Sequence, residues 1–393
     1  MSRTVGSILS DFGLQLLLLD KTGVTQEMPS LTDRVSAYNH IIDSFGGFLN
    51  ATINLTLTKT VAEWLFDNCI GKQVKLVCNA GRSAWEGFIN QVTLKDGGVT
   101  ETRGPLLDAC NLLWATCSPM IYTEDPPTAG SEVLLPYVSD TQSIEKYGII
   151  EKVLAMGQCS EAMAGYAQTV ALQDMAYPRT SGQVSFAGDV IDVTLDCVGL
   201  IYWLFAYIYD LQVAGSTTAS AKIIAILTAE ANNYLSTDYT KIYTNAVPVG
   251  SQEKQHRYAA DVIKEIVALG DNTTAGLRTL FGVYDNKQAV YAAAPTTIEY
   301  EHHLSWNNKS INNYLSGTQV SPWLVRPGKW LMVPDFQPNI PPVTDLTKDP
   351  RTKFIESVKY TAPLSLDLSG GKLDRLSTLI ARITYSQGMA GGG

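Results

Sequence analysis

The groups in this chain that could do chemistry are few and dispersed: four histidines, six cysteines and a scatter of carboxylates. His302 and His303 are adjacent on a stretch that reads as a strand, where neighbours point to opposite faces and cannot chelate one metal together. With only His40 and His256 besides, the histidines read as structural. The cysteines stand at 69, 78, 110, 117, 159 and 197 without a Cys-x-x-Cys pair, which argues against a zinc ribbon and a thioredoxin-like redox motif. Most sit inside apolar runs and read as buried, reduced thiols. The spacing of Cys110 and Cys117 would allow a disulfide or half a metal site, but no matching His lies nearby in sequence. Gly370-Gly-Lys lacks the upstream glycine and the Ser or Thr after Lys that a phosphate loop needs, so it reads as a turn. No nucleophile elbow of the Gly-x-Ser-x-Gly type occurs, and the carboxylate spacing singles out no acid and base. The residue types therefore nominate no catalytic, cofactor-binding or metal site, and the chain reads as a non-enzyme whose function lies in surface and assembly.

Composition sets what the chain could bind. At 393 residues, 45% apolar and 17% charged, it can bury large cores and divides into two to four compact units. Low charge at this apolar content also fits surface buried between subunits. A net charge of −9 without a basic run argues against gripping nucleic acid by its phosphates. The longest apolar run, residues 198–209, is bracketed by Asp196 and Asp210 and falls short of the roughly 20 residues of a spanning helix. It reads as a strand end passing into a helix. Residues 14–19 read as a strand and not as part of a signal peptide, because Asp11, Gln15 and Asp20 interrupt the stretch.

The elements that must position any site are mostly strands. Val74, Leu76 and Cys78 alternate with Lys75 and Asn79, and Trp85, Phe88, Val92 and Leu94 sit among Glu86, Asn90, Gln91 and Thr93, the period of half-buried strands. A short helix ending at Gly71 precedes this meander. Residues 51–58 alternate as clearly, with turns expected at Lys21-Thr-Gly and Phe45-Gly-Gly. Residues 106–116 read as a return into the same sheet. Residues 143–172 turn helical, and a strand follows at 188–200. A helical pair comes next, at 219–235 with Thr217 or Thr218 as cap and at 257–269 before Gly270. Strands resume at 277–284 and 289–293 around the turn Asp285-Asn-Lys, then at 298–304. A hairpin is expected over 320–333, with Pro327 and Gly328 at the centre of a type II turn. Strands at 354–360 and 364–368, a helix at 373–383 and a glycine tail close the chain.

Three segments in this order resemble the tail hub and baseplate proteins of tailed bacteriophages. The first is Gly71-Lys-Gln-Val-Lys-Leu-Val with Trp85-Glu-Gly-Phe-Ile-Asn-Gln-Val. The second is Ser143-Ile-Glu-Lys-Tyr-Gly-Ile-Ile-Glu, an Ala-rich helix, then Asp192-Val-Thr-Leu-Asp-Cys-Val-Gly. The third is Val320-Ser-Pro-Trp-Leu-Val-Arg-Pro-Gly-Lys-Trp-Leu-Met-Val. The resemblance covers most of residues 50–385. It implies an α+β, mainly β fold of two β-barrel (tube-like) domains with helical insertions. The first barrel would span 1–120, completed by 185–200, with an inserted mixed or helical segment at 121–184. A helical insertion at 201–274, a second barrel at 275–365 and a C-terminal helix and tail at 366–393 would follow. Three copies with two barrels each would present six barrels to a six-fold tube. The implied role is a virion structural protein, made in the host cytoplasm. It would form a homotrimeric ring that links the tail tube to tip or fibre proteins, with DNA able to pass through the lumen. Trp85, Gly87, Trp323, Pro327, Gly328 and Trp330 are the residues expected to matter for structure and assembly. No cofactor is implied, and no lysozyme-like segment is present. The alternative is a host-recognition or carbohydrate-binding virion protein that stacks sugars on exposed members of its nineteen Tyr and seven Trp.

Overall fold

The computed structural model describes residues 9, 13–28, 31–78, 81–123, 126–182, 186–209, 217–229, 234–250, 257–271, 278–304, 311–315, 318–319, 324–332, 341, 345–362 and 365–371. The chain opens with strands β1 (Leu14–Leu19), β2 (Val35–Asp43), β3 (Phe45–Thr58), β4 (Gln73–Cys78), β5 (Ser83–Asp96) and β6 (Val99–Arg103). β7 (Leu112–Cys117), β8 (Val133–Ser139) and β9 (Glu151–Ala155) form a separate sheet, after which β10 (Thr180–Gly182) and β11 (Val190–Gly199) rejoin the first. β12 (Thr279–Tyr284), β13 (Gln288–Ala293), β14 (Ile298–Leu304), β15 (Ile311–Leu315), β16 (Trp330–Met332), β17 (Thr352–Ala362) and β18 (Ser365–Gly371) complete it. The helices are α1 (Lys59–Asn68), α2 (Thr141–Tyr147), α3 (Glu161–Met175), α4 (Tyr202–Phe205), α5 (Ala219–Thr228) and α6 (Ala259–Ala268).

The main sheet runs β1-β4-β5-β11-β3-β2-β17-β16-β14-β15 and ends on Thr318–Gln319, with β6, β10, β12, β13 and β18 joined at its sides. The β4–β5 meander forms as its alternation dictates: Val74 pairs with Gly87 and Leu76 with Trp85. Gly71 takes φ 83° just past α1, the left-handed stop expected of it. Leu55, Leu57, Leu76, Phe88, Val92, Ile191 and Val193 share one core, which α1, α5 and α6 help cover with Leu65, Ile223, Ile226, Ile263 and Ile266. Helix α5 starts where Thr218 caps it, its side chain accepting from the Ala221 amide at 3.3 Å.

The mixed, mainly β content agrees with expectation; the two barrels do not. Among the described residues every sheet is open. Edge use is the physical reason, since a strand has two edges and a barrel closes only when its outermost strands pair with each other. To close the first barrel, β2 would have to meet β1. Its outer edge instead pairs with β17, Tyr38 opposite Ala362 through Asp43 opposite Ser357. On β1, the edge away from β4 meets residues 25–28 through the Leu19–Gln26 bridge and the Glu27 amide to Leu18 carbonyl bond. The later strands do not close on themselves either, because β12 runs parallel to β3, Phe281 opposite Phe45. Strands expected in two barrels thus share one extended sheet.

Four local expectations also change. Residues 112–117 do not return to the first sheet but form the centre of the β8-β7-β9 sheet. Residues 151–155, read as helical, form a strand parallel to β7. The Trp330 strand has β14 on one edge and β17 on the other, not Leu324 or Val325; residues 320–323, the start of the expected hairpin, lie outside the described residues. Gly370 and Gly371 end β18 opposite Ile355 and Phe354 and do not form a turn. The expected helix at 373–383 and the glycine tail lie outside the described residues.

Candidate functional site

The residues singled out from sequence are brought to two places. Trp85 is fully buried, its ring 6.5 Å from that of Phe48. Gly87 lies beneath it, where a Cβ would come within 2.2 Å of the Val198 carbonyl oxygen and 2.3 Å of Trp85 Cη2. Only glycine lets β11 approach β5 this closely while the indole covers the strand. The Arg326-Pro-Gly-Lys segment lies against β17: the Gly328 amide donates to the Ile355 carbonyl at 2.8 Å, and the Ile355 amide to the Lys329 carbonyl at 2.9 Å. Gly328 has the expected left-handed conformation, φ 78°. Trp330 is buried, donates its indole N–H to the Pro295 carbonyl at 2.8 Å and meets Phe354 edge-on at 5.5 Å. Trp323 lies outside the described residues. Trp85, Trp203 and Trp330 are all buried, so none of them is a platform for sugar.

Arg326 stands where late and early segments meet, and sequence reasoning marked it only as a charged turn residue. Its guanidinium donates to the Ser83 carbonyl at 2.7 Å, lies 5.2 Å from the Phe48 ring centroid and sits 3.7 Å from Asp285. Its backbone amide donates to the Tyr300 hydroxyl at 3.2 Å. Around the same seam, the buried Glu86 carboxylate accepts from the Asn286 amide at 3.0 Å, and burial raises the Glu86 pKa. The turn making that contact holds Asn286 and Lys287 at positive φ, 60° and 63°. Arg278 pairs with Glu356, whose carboxylate accepts from the Ser44 hydroxyl at 2.8 Å. His40 is fully buried, shares a 2.6 Å hydrogen bond between Nδ1 and the Tyr38 hydroxyl, and stacks near Tyr360. Burial, reinforced by the Arg326 charge, holds its pKa down at about 3. These groups tie the chain together; none faces a reactive partner.

A surface that could act on another molecule lies in the β8-β7-β9 sheet and α3. One sheet face packs Leu113, Ala115, Cys117 and Leu135 against Ala164 and Leu172 of the helix. Gln168 lies between those two helical residues and donates to the Leu113 and Pro136 carbonyls at 2.7 and 3.0 Å. Ser160 caps the helix by accepting from the Met163 amide. The opposite helix face carries Met163, Tyr166 and Val170, exposed to 64%, 74% and 47%. At 100° per residue these three cluster roughly opposite Ala164, Gln168 and Leu172. The other sheet face also holds aromatic area, with Trp114 edge-on to Tyr137 at 5.1 Å and Tyr137 52% exposed. Tyr122 and Tyr177 are exposed as well. Both outer faces of this two-layer unit thus expose apolar or aromatic side chains. The sequence marks this stretch as helical, but its apolar residues lie all round α3 and do not say which face is covered; Tyr166 and Val170 point away from Leu172.

The Cys110–Cys117 pairing that the spacing admits is not made. The intervening strand separates the two by roughly 20 Å at about 3.3 Å per residue, far beyond disulfide reach, and they lie in different apolar clusters. Among the described residues no group of three or more His, Cys, Asp or Glu side chains could hold a metal ion. No described helix is long and apolar enough to cross a membrane.

No protein-family model and no curated protein matches this sequence. Among solved structures, the chain is similar to a tail protein from Neisseria meningitidis MC58 at a TM-score of 0.40 and 8% identity, over 93% of this chain and 98% of that one. It is also similar to an E. coli protein described as a component of the type VI secretion system with structural similarity to T4 bacteriophage tail proteins. There the TM-score is 0.41 and the identity 8%, over 85% of this chain and 71% of that one. A 43 kDa tail protein of prophage MuSo2 from Shewanella oneidensis gives 0.41 and 7%, over 92% and 99%.

Proposed function

We propose that this protein is a non-catalytic structural component of a bacteriophage tail, a hub or baseplate subunit whose copies close into a homotrimeric ring between the tail tube and the tip or fibre proteins. The observation that carries the reading is the way the tail-hub-like segments sit together. The Trp85 strand and the strand that returns after the inserted residues are direct neighbours, Gly199 opposite Gly87 and Val198 opposite Phe88. The Trp330 strand belongs to the same sheet. An element that leaves after β6, builds its own two-layer unit and rejoins beside β5 is the arrangement the resemblance implies for an insertion.

The exposed apolar faces of that unit supply contact area for assembly, and burying Met163, Tyr166 and Val170 between copies would remove from water what a monomer leaves exposed. In this reading the protein is made in the host cytoplasm and resides in the virion, and residues 121–184, folded around β7, are the inserted segment that carries the contact. Native mass measurement of the purified protein, together with copy counting in purified particles, tests the proposal. Three copies per ring support it. A chain that is monomeric at micromolar concentration and also present as a monomer in the particle overturns it.

A further inference from the structure

We propose that Cys117 and Cys159 form a disulfide on exposure to an oxidising thiol–disulfide couple, stapling the end of β7 to the start of α3. All six cysteines are unpaired thiols as the chain stands, but this pair differs from the rest. The chain is tied on both sides of it: the Met156 amide donates to the Thr116 carbonyl at 2.9 Å, and the Ser118 amide to the Gly157 carbonyl at 2.8 Å. Cys117 is thereby flanked by the segment that leads, through Gly157 at φ 63°, to Cys159. Both side chains enter the same small apolar cluster with Ala115, Leu135 and Ala164. Burial raises the Cys117 pKa, and the neighbouring Cys159 thiol raises it further.

Access distinguishes this pair from the other cysteines. Cys117 is 1% exposed, while Cys159 is half-buried and open to a reagent. Thiol–disulfide exchange needs one accessible sulfur to begin and a second within reach to finish, and here the two properties fall on two residues of one small cluster. With oxidised glutathione as oxidant, the Cys159 thiolate attacks one glutathione sulfur, forming a mixed disulfide and expelling the first glutathione thiolate. The Cys117 thiolate then attacks the Cys159 sulfur, forming the protein disulfide and expelling the second. The two protons lost by the cysteines are taken up by the two glutathiones, and the two electrons reduce the glutathione disulfide. The closed loop holds both strand β8 and helix α2, so the bond would tie together a unit otherwise held only by packing and hydrogen bonds.

The experiment is incubation of the full-length protein with oxidised glutathione at pH 8, followed by thiol counting after denaturation and peptide mapping without reductant. Six titratable thiols should fall to four, with a Cys117–Cys159 cross-linked peptide two hydrogens lighter than the sum of its parts. The apparent melting temperature should rise by roughly 3 °C or more, reversed by reductant. Cys159→Ser, at the accessible position, should lose both effects. A stable glutathione adduct on Cys159 with Cys117 still titratable, a different cross-linked pair, or an unchanged count of six would each overturn the proposal. Because the count is read on the isolated chain, it succeeds or fails independently of the tail reading.

Discussion

At the scale of single residues, two positions make the physical argument testable. Gly328 adopts φ 78°, and a Cβ there would sit 2.7 Å from Leu280 Cδ1. Gly328→Val therefore meets both backbone strain and a contact that Leu280 must move to relieve, and should lower stability by about 1–3 kcal/mol. Urea unfolding measures it, and an unchanged midpoint would show that the left-handed conformation is not required. His40 makes a pH prediction. Its folded pKa of about 3 lies below the ordinary 6.5, so below pH 6.5 the unfolded chain takes up a proton that the folded chain refuses. The stability contributed by neutral, buried His40 is intact above pH 6.5 and is lost as pH falls from there toward 3, at roughly 1.4 kcal/mol per pH unit. His40→Phe should show a shallower loss of stability between pH 6.5 and 4 than the wild type. Parallel curves for the two proteins would remove His40 as a source of acid sensitivity.

At the scale of elements, the two faces of α3 let folding and the proposed assembly be tested separately. Its inner face, with Ala164, Gln168 and Leu172, holds the helix on β7 and β8; its outer face leaves Met163, Tyr166 and Val170 exposed. Replacing Met163, Tyr166 and Val170 together by Ser, Glu and Thr should leave the melting temperature within about 2 °C, since surface substitutions are usually worth under ~0.5 kcal/mol each. The same variant should shift the protein from ring to monomer by at least tenfold in dissociation constant. Sedimentation across a concentration series reads this directly, and a variant that assembles like the wild type would move the assembly surface elsewhere. The ends of the insert's helices are marked by side chains: Ser160 caps α3 and Asp140 caps α2, accepting from Ser143 at 2.9 Å.

At the scale of the whole molecule, one arginine connects segments far apart in sequence. Arg326 reaches the Ser83 carbonyl and the Phe48 ring from a segment over 240 residues away. Arg326→Ala would leave the Ser83 carbonyl without its donor and Phe48 without its cation, and should cost about 2 kcal/mol or more. Arg326→Lys should recover only part of this, because a single ammonium cannot span the carbonyl, the carboxylate and the ring as a guanidinium does. Hydrogen exchange of β5 and β17 in the two variants is the decisive readout. Loss of protection on both strands together is expected, whereas loosening confined to β17 would show that the seam does not couple the two ends of the chain.

What the sequence alone determined about this protein is local. Alternation of apolar and polar residues set β3, β4, β5 and β11, a Thr cap and an apolar stripe set α5, and an apolar stripe set α6. Glycine chemistry marked the stop at Gly71 and the left-handed residue at Gly328. The alternation around Trp85 placed it on a half-buried strand. These features depend on interactions within a few residues, which is why pattern suffices for them. Only the tertiary structure decided which strand edges meet. Nothing in the residues of β2 says that its free edge pairs with β17 and not with β1, because backbone hydrogen bonds are chemically alike for every partner. That choice converted two expected barrels into one open sheet. The contacts of Arg326 and the exposure of the outer face of α3 were hidden for the same reason: each depends on what does or does not lie across a gap in space. The meeting of Cys117 and Cys159, 42 positions apart, in one apolar cluster likewise depends on β9 running parallel to β7.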